Sequence, residues 1–141
     1  VRLFNTYGPG MAADGRVVIE FVQAALVNKP FSIFGKGIQT RSFCYVSDMV
    51  DGVIAAMEKG KSGEVYNLGN PDEFTILELA EKIKRLTKSK SKVESVESLP
   101  EDDPQRRCPN ISKAKKELDW EPKVSLEEGL KKLIVFLRSK E

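Results

Sequence analysis

Apolar and polar positions along the chain switch repeatedly between two periods. Val1 to Phe4 is a short apolar run closed by the turn-rich Asn5-Thr6-Tyr7-Gly8-Pro9-Gly10, which predicts a strand and then a loop. From Arg16 to Val27 the apolar residues Val17, Val18, Phe21, Val22, Ala25 and Leu26 recur at helical spacing, and Lys29-Pro30 ends the helix. Phe31-Ser32-Ile33-Phe34 alternates as a strand does and stops at Gly35, where Gly35-Lys36-Gly37 predicts a turn. Ser42 to Val46 predicts another strand, with Ser47 or Asp48 capping a helix that runs to Glu58.

The second half repeats the alternation. Val65-Tyr66-Asn67-Leu68 predicts a strand closed by Gly69-Asn70-Pro71. Thr75 and Glu78 have the spacing of a capping box, in which Thr75 accepts from the Glu78 amide while the Glu78 carboxylate reaches back. Ile76, Leu79, Ala80, Ile83 and Leu86 form the apolar stripe behind it. Ser89 to Leu99 alternates weakly around Val93 and Val96, as an edge strand would. Pro100 to Pro109 predicts a loop, because its prolines deny helix continuity. Asn110 is placed to cap a helix from Ile111 to Leu118, and Ser125 with Glu128 predicts a second capping box for a helix from Leu126 to Arg138. Strands alternating with helices predict an α/β fold in which some strands belong to a sheet whose other members lie outside this chain.

Composition limits the partners. The chain has 141 residues with 40% hydrophobic content, enough for one core. It opens with Val rather than Met and inside a predicted strand, so it reads as a piece of something longer. No apolar run approaches the roughly 18 residues of a bilayer helix, and the first residues lack a signal-peptide pattern. A net charge of +2 from 23 basic and 21 acidic residues is too balanced to make nucleic acid or an anionic membrane the expected partner. The Lys-rich stretch from Lys82 to Lys92 fits a solvated helix end, where cations complement the dipole. Cys44 and Cys108 are far apart and the chain has no His, so the usual zinc spacings cannot be assembled. Two isolated cysteines suggest a reducing, cytoplasmic setting, a structural disulfide being the alternative.

A few residues could carry chemistry. Arg41 lies between a glycine-rich turn and an aromatic segment, where a guanidinium can be aimed at an oxyanion, a diphosphate matching its fork best. The alternative is an ion pair with Asp48 or a helix end, and the local pattern alone weighs toward it. Arg106 and Arg107 follow Asp102-Asp103-Pro104 in the predicted loop, either as a second contribution to an anion site or as a local ion-pair cluster with those aspartates. Asn5 follows a strand at the edge where open α/β sheets place ligands, and a turn-forming role fits equally. Tyr7 and Tyr45 lack a lysine at the helical offset that would tune a phenolic base, so both are expected to be structural. Trp120 is expected to cover the preceding helix.

Several segments in one order carry a more specific signal. Val1-Arg2-Leu3-Phe4-Asn5-Thr6-Tyr7-Gly8-Pro9, Asp14-Gly15-Arg16-Val17-Val18, Gln39-Thr40-Arg41-Ser42-Phe43, Asn67-Leu68-Gly69-Asn70-Pro71, Asp102-Asp103-Pro104 and Trp120-Glu121-Pro122 together resemble the second half of extended short-chain dehydrogenases/reductases acting on nucleotide sugars, the NAD-dependent epimerase/dehydratase family. The resemblance implies the C-terminal portion of a Rossmann-type fold, mainly the small substrate-binding domain with strands of the parent parallel sheet. The glycine-rich dinucleotide turn and the Tyr-x-x-x-Lys pair of that family occur nowhere in the chain. Residues 1–141 would then be the nucleotide-sugar-binding portion, without catalytic or metal-binding residues, inactive alone, its NAD held mainly by an N-terminal part.

The resemblance further implies a UDP-sugar substrate, decarboxylation of UDP-glucuronate to UDP-xylose through a 4-keto intermediate, and a homo-oligomer, a dimer in the simplest case. A nucleotide-sugar 4-epimerase or 4,6-dehydratase is the alternative, and a non-catalytic sugar-nucleotide-binding or dimerisation module is the alternative of another class. Residue by residue, Asn5, Arg41 and Arg107 would hold the diphosphate and sugar. Ser32 and Phe34 would line the uracil pocket beside the helix starting near Val17, and Thr6 and Arg16 would approach NAD. This chain departs from the family in Gly10, where arginine is usual, in a loop to Asp14 one residue shorter, and in Asn110, where aspartate is usual.

Overall fold

The computed structural model describes residues 1–96 and 104–140. In chain order the elements are β1 (Arg2–Leu3), β2 (Thr6–Tyr7), α1 (Val17–Leu26), β3 (Phe31–Ile33), β4 (Thr40–Ser42), β5 (Cys44–Tyr45), α2 (Val46–Lys59), β6 (Asn67–Leu68) and β7 (Glu73–Thr75). They continue with α3 (Ile76–Thr87), β8 (Val93–Ser95), β9 (Arg106–Arg107), α4 (Ser112–Leu118) and α5 (Leu126–Arg138). The fold is α/β, as the alternation predicts. β1 pairs with β6, β2 with β5 and β3 with β8, all parallel, and β4 is the centre of a fourth, three-stranded sheet, antiparallel to β7 on one side and parallel to β9 on the other.

The helices pack where their apolar faces dictate. α3 buries Ile76, Leu79, Ala80 and Ile83, and its capping box is complete: the Glu78 amide donates to Thr75 Oγ1 at 3.0 Å and the Thr75 amide to Glu78 Oε2 at 2.7 Å. Such a cap contributes about 1 kcal/mol by satisfying donors the helix leaves open. With α1 and α5 it encloses the larger core, in which Phe21 stacks on Phe31 with ring centroids 4.9 Å apart. A second core joins α2 to α4 through Cys44, Met49, Tyr66, Leu68, Ala114, Leu118 and Trp120. Trp120, expected to cover the helix before it, sits in this core and also reaches across to α2, donating its indole N–H to the Asp48 carbonyl at 3.0 Å, and Gly52 leaves it room: a Cβ there would lie 2.8 Å from Trp120 Cε2.

Several local expectations are corrected by long-range pairing. The strand expected from Ser42 to Val46 breaks at Phe43, because β4 joins β7 and β9 while β5 joins β2, and Val46 already belongs to α2. Asp48 does not cap that helix; it is buried, and its Oδ2 accepts the amides of Lys123 at 3.0 Å and Val124 at 2.8 Å, so one carboxylate ties α2 to the segment entering α5. β7 has no counterpart among the strands the sequence pattern predicts. Arg106 and Arg107 form a strand rather than a loop, whereas Asp102 and Asp103, and with them the ion-pair cluster, lie outside the described residues. The edge strand expected over Ser89–Leu99 is present as β8, and its positions 97–99 lie outside the described residues.

Asn110 Oδ1 accepts from the Ser112 amide at 3.0 Å, making the turn before α4 while Ile111 occupies the N-cap position. Ser125 accepts from the Glu128 amide at 3.2 Å, but the Glu128 carboxylate goes to Lys132 at 2.7 Å, so this box is half formed. Cys44 and Cys108 are free thiols. The strand expected from Val65 begins only at Asn67; β1 and β6 find each other and still leave Leu3 57% exposed on β1 and Val65 46% exposed just before β6.

Candidate functional site

A cavity of ≈ 830 Å³ opens between the segment after β1, the first turns of α1, β3 and β4, within the size range of small-molecule sites. β3 supplies one wall by alternation: Phe31 and Ile33 are buried, Ser32 and Phe34 are exposed, and all of them border the cavity. The turn that returns the chain to β4 needs glycine, since Gly37 has φ +69° and a Cβ would sit 2.9 Å from Ile33 Cγ2. α1 presents its first residue, Val17, half-buried, with Arg16 as its N-cap residue.

The polar groups around this space are held in place. Asn5 Nδ2 donates to the Ser42 carbonyl at 3.2 Å, fixing the end of β1 to the end of β4. Thr6 Oγ1 donates to the Phe4 carbonyl at 2.9 Å. Arg16 forks onto Asp14 at 2.8 and 2.9 Å in an exposed pair that raises the arginine's basicity and holds the Asp14 carboxyl below its usual range. Arg41, on the central strand, is only 8% exposed, and its Nη1 donates to the Thr40 carbonyl at 2.8 Å. A buried guanidinium with its stem packed in a sheet is a directed, permanently charged donor.

The structure thus brings Asn5, Thr6, Arg16, Val17, Ser32, Phe34 and Arg41 to one cavity. Arg107 does not border it; instead it is the strand neighbour of Arg41, paired Cα to Cα across the β4–β9 ladder, and is exposed. Partnered residues in adjacent strands share a face, so the two guanidinium stems leave the sheet on the same side. Sequence reasoning missed Gln39 and Phe43, which also border the cavity. Gln39 is 7% exposed and its Nε2 donates to the Phe34 carbonyl at 3.3 Å. Its place directly before Thr40-Arg41 was the available signal.

On the opposite face of the same sheet the Glu73 carboxylate accepts from Arg106 and from Thr40 Oγ1, at 2.6 Å for Arg106 Nη2 and 2.8 Å for Thr40. These bonds, Arg106 first, hold its carboxyl down to about 2. Tyr7 and Tyr45 are structural as expected. Tyr7 is 2% exposed, donates to the Leu126 carbonyl at 3.2 Å and meets Tyr45 edge to face at 5.6 Å, and burial pushes its phenol far above the range of a working base. Burial also raises the Cys44 thiol to about 12, with Asp48 adding to it. No helix among the described residues is long and apolar enough to cross a membrane.

Known proteins share this architecture. The family model for GDP-mannose 4,6 dehydratase matches residues 1–133. UDP-glucuronic acid decarboxylase 3 of Arabidopsis thaliana is 55% identical over 130 residues, covering 92% of this chain and 37% of its own length. The UDP-glucose 4-epimerase of Thermotoga maritima, solved with UDP-glucose, superposes with a TM-score of 0.93 at 35% identity, over 99% of this chain and 45% of that one. The UDP-glucuronic acid 4-epimerase of Bacillus cereus, solved with UDP-glucuronic acid and NAD, gives 0.91 at 32% identity, again over 99% and 45%. The chain therefore spans less than half the length of the proteins it matches.

Proposed function

The chain belongs to the GDP-mannose 4,6-dehydratase family of nucleotide-sugar enzymes, and from that membership we propose that it is the substrate-binding portion, residues 1–141, of an NAD-dependent UDP-glucuronate decarboxylase. The observation that carries the reading is the cavity with buried Arg41 in its wall and Arg107 as that residue's strand neighbour. Two guanidiniums on one face suit a diphosphate, and the apolar wall of Phe31, Ile33 and Phe34 with the Ser32 hydroxyl suits a planar base. Asn5, anchored to Ser42 and bordering the same cavity, is assigned to the sugar.

In the proposed reaction a ketone at C4 places the C5 carboxylate β to a carbonyl, so the C–C bond to CO2 can break with its electrons delocalised into the ketone. NAD, when bound, supplies the removal and return of a hydride at C4. This chain's residues contribute only an edge to an NAD site. Thr6 and Arg16 border the cavity, but their side chains are engaged with Phe4 and Asp14, and no dinucleotide turn precedes a helix in the sequence. The chain's own part is to bind and orient the substrate. The solved epimerase neighbours support 4-epimerisation as the second reading, and identity to the decarboxylase supports the first.

Calorimetric titration tests the assignment. UDP and UDP-glucuronate are expected to bind this chain, while incubation with NAD and UDP-glucuronate yields no CO2 or UDP-xylose, because the chain has no acid/base pair for the C4 hydroxyl. Absence of UDP binding would overturn the site, and turnover by the chain alone would overturn its inactivity. The two free thiols support a cytoplasmic setting.

The exposed apolar residues of the β1–β6 pair, with Val50, Ile54 and Met57 on the outer face of α2, support a homo-oligomer. Sedimentation over rising concentration is expected to show self-association; a strict monomer would remove that support.

A further inference from the structure

The arginine pair exists only if β9 stays against β4, and β9 is two residues long. Its main-chain ties are the β4 ladder and the Thr40 amide donating to the Gln105 carbonyl at 2.9 Å, on the edge of β4 away from β7. So short an edge strand needs side chains to fix it. Strand alternation puts Arg41 and Arg107 on one face of the β7-β4-β9 sheet and Thr40, Arg106 and Glu73 on the other. There one carboxylate from β7 spans the sheet: Glu73 Oε1 accepts Thr40 Oγ1 at 2.8 Å and Arg106 Nε at 2.9 Å, and Oε2 accepts Arg106 Nη2 at 2.6 Å. Glu73 does not border the cavity.

We propose that Glu73 is a positioning residue for diphosphate binding: by clasping Arg106 on one face it fixes β9, and so holds Arg107 beside Arg41 on the other. The inference rests on the reading of the cavity as a UDP-sugar site. An exposed ion pair contributes little to global stability, so removing this one acts on the placement of β9 rather than on folding. The ligand reads that placement through its phosphates, and a nucleoside without phosphates does not.

The test is calorimetric titration of UDP and of uridine into the chain and its Glu73→Gln variant, with the same pair repeated in an Arg107→Ala background. Glu73→Gln is expected to weaken UDP on the order of tenfold, the scale of a lost charge-assisted bond, while leaving uridine affinity unchanged. Its effect should vanish once Arg107 is alanine, as coupling through that residue requires. Unchanged UDP affinity in Glu73→Gln, equal losses for UDP and uridine, or a full effect without Arg107 would each overturn the proposal. If the parent chain binds no UDP, it is the underlying site assignment that fails. Should Glu73→Gln not fold, Arg106→Lys, which keeps the charge but loses the fork, carries the same expectations.

Discussion

Replacing Arg41 or Arg107 by lysine is expected to weaken UDP binding by about 1.5 kcal/mol or more each, over tenfold, because an ammonium cannot reproduce the forked, directed donors of a guanidinium. Arg41 starts from a buried position with its stem fixed in the central strand, and Arg107 from an exposed one, so the first substitution should cost more. In the proposed site the two serve one diphosphate, and their combined loss should depart from the sum of the singles. Calorimetry on both variants decides the matter: unchanged UDP affinity in both would make these arginines structural and place the diphosphate elsewhere.

Trp120→Ala is expected to destabilise the fold by about 3–5 kcal/mol, the usual range for removing a buried large aromatic. The indole is 6% exposed, lies against Gly52 with no space for a Cβ between them, and satisfies the Asp48 carbonyl. Its removal leaves a void between α2 and α4 and strips a partner from the residue that also holds Lys123 and Val124. Chemical denaturation measures the loss. A change below about 1 kcal/mol, the level of a surface substitution, would contradict the packing described for the second core.

What could be foreseen depended on how far apart the interacting residues are. The Thr75–Glu78 box was legible in full because both partners lie in one turn, and the α3 stripe because it repeats within the same helix. Ser125–Glu128 has the same spacing and forms only half, since Lys132 competes for the carboxylate from the next turn. Asp48 looks like a helix cap locally, yet its partners are amides at 123 and 124. β7 and β9 have almost no pattern of their own; each is a strand because β4 lies beside it. The cavity residues came from family resemblance, which carries long-range information that periodicity lacks, and Gln39 shows that even a motif can contain a wall residue without announcing it.

Every ladder among the described residues joins segments remote in sequence: Arg2 meets Asn67, Thr6 meets Cys44, Phe31 meets Val93, and Arg41 meets both Phe74 and Arg107. Among the described residues no hairpin offers a local start, so strand pairing depends on non-local contacts, which slow folding. The strand that carries Arg41 closes only when the chain on both sides of it has been recruited. A nucleotide bound there cannot stabilise a lobe by itself; at a hundredfold excess over its Kd it adds about 2.7 kcal/mol to the folded state as a whole. Under the proposed function the nucleotide is thereby also a folding ligand, and its concentration shifts the folded fraction of the whole chain.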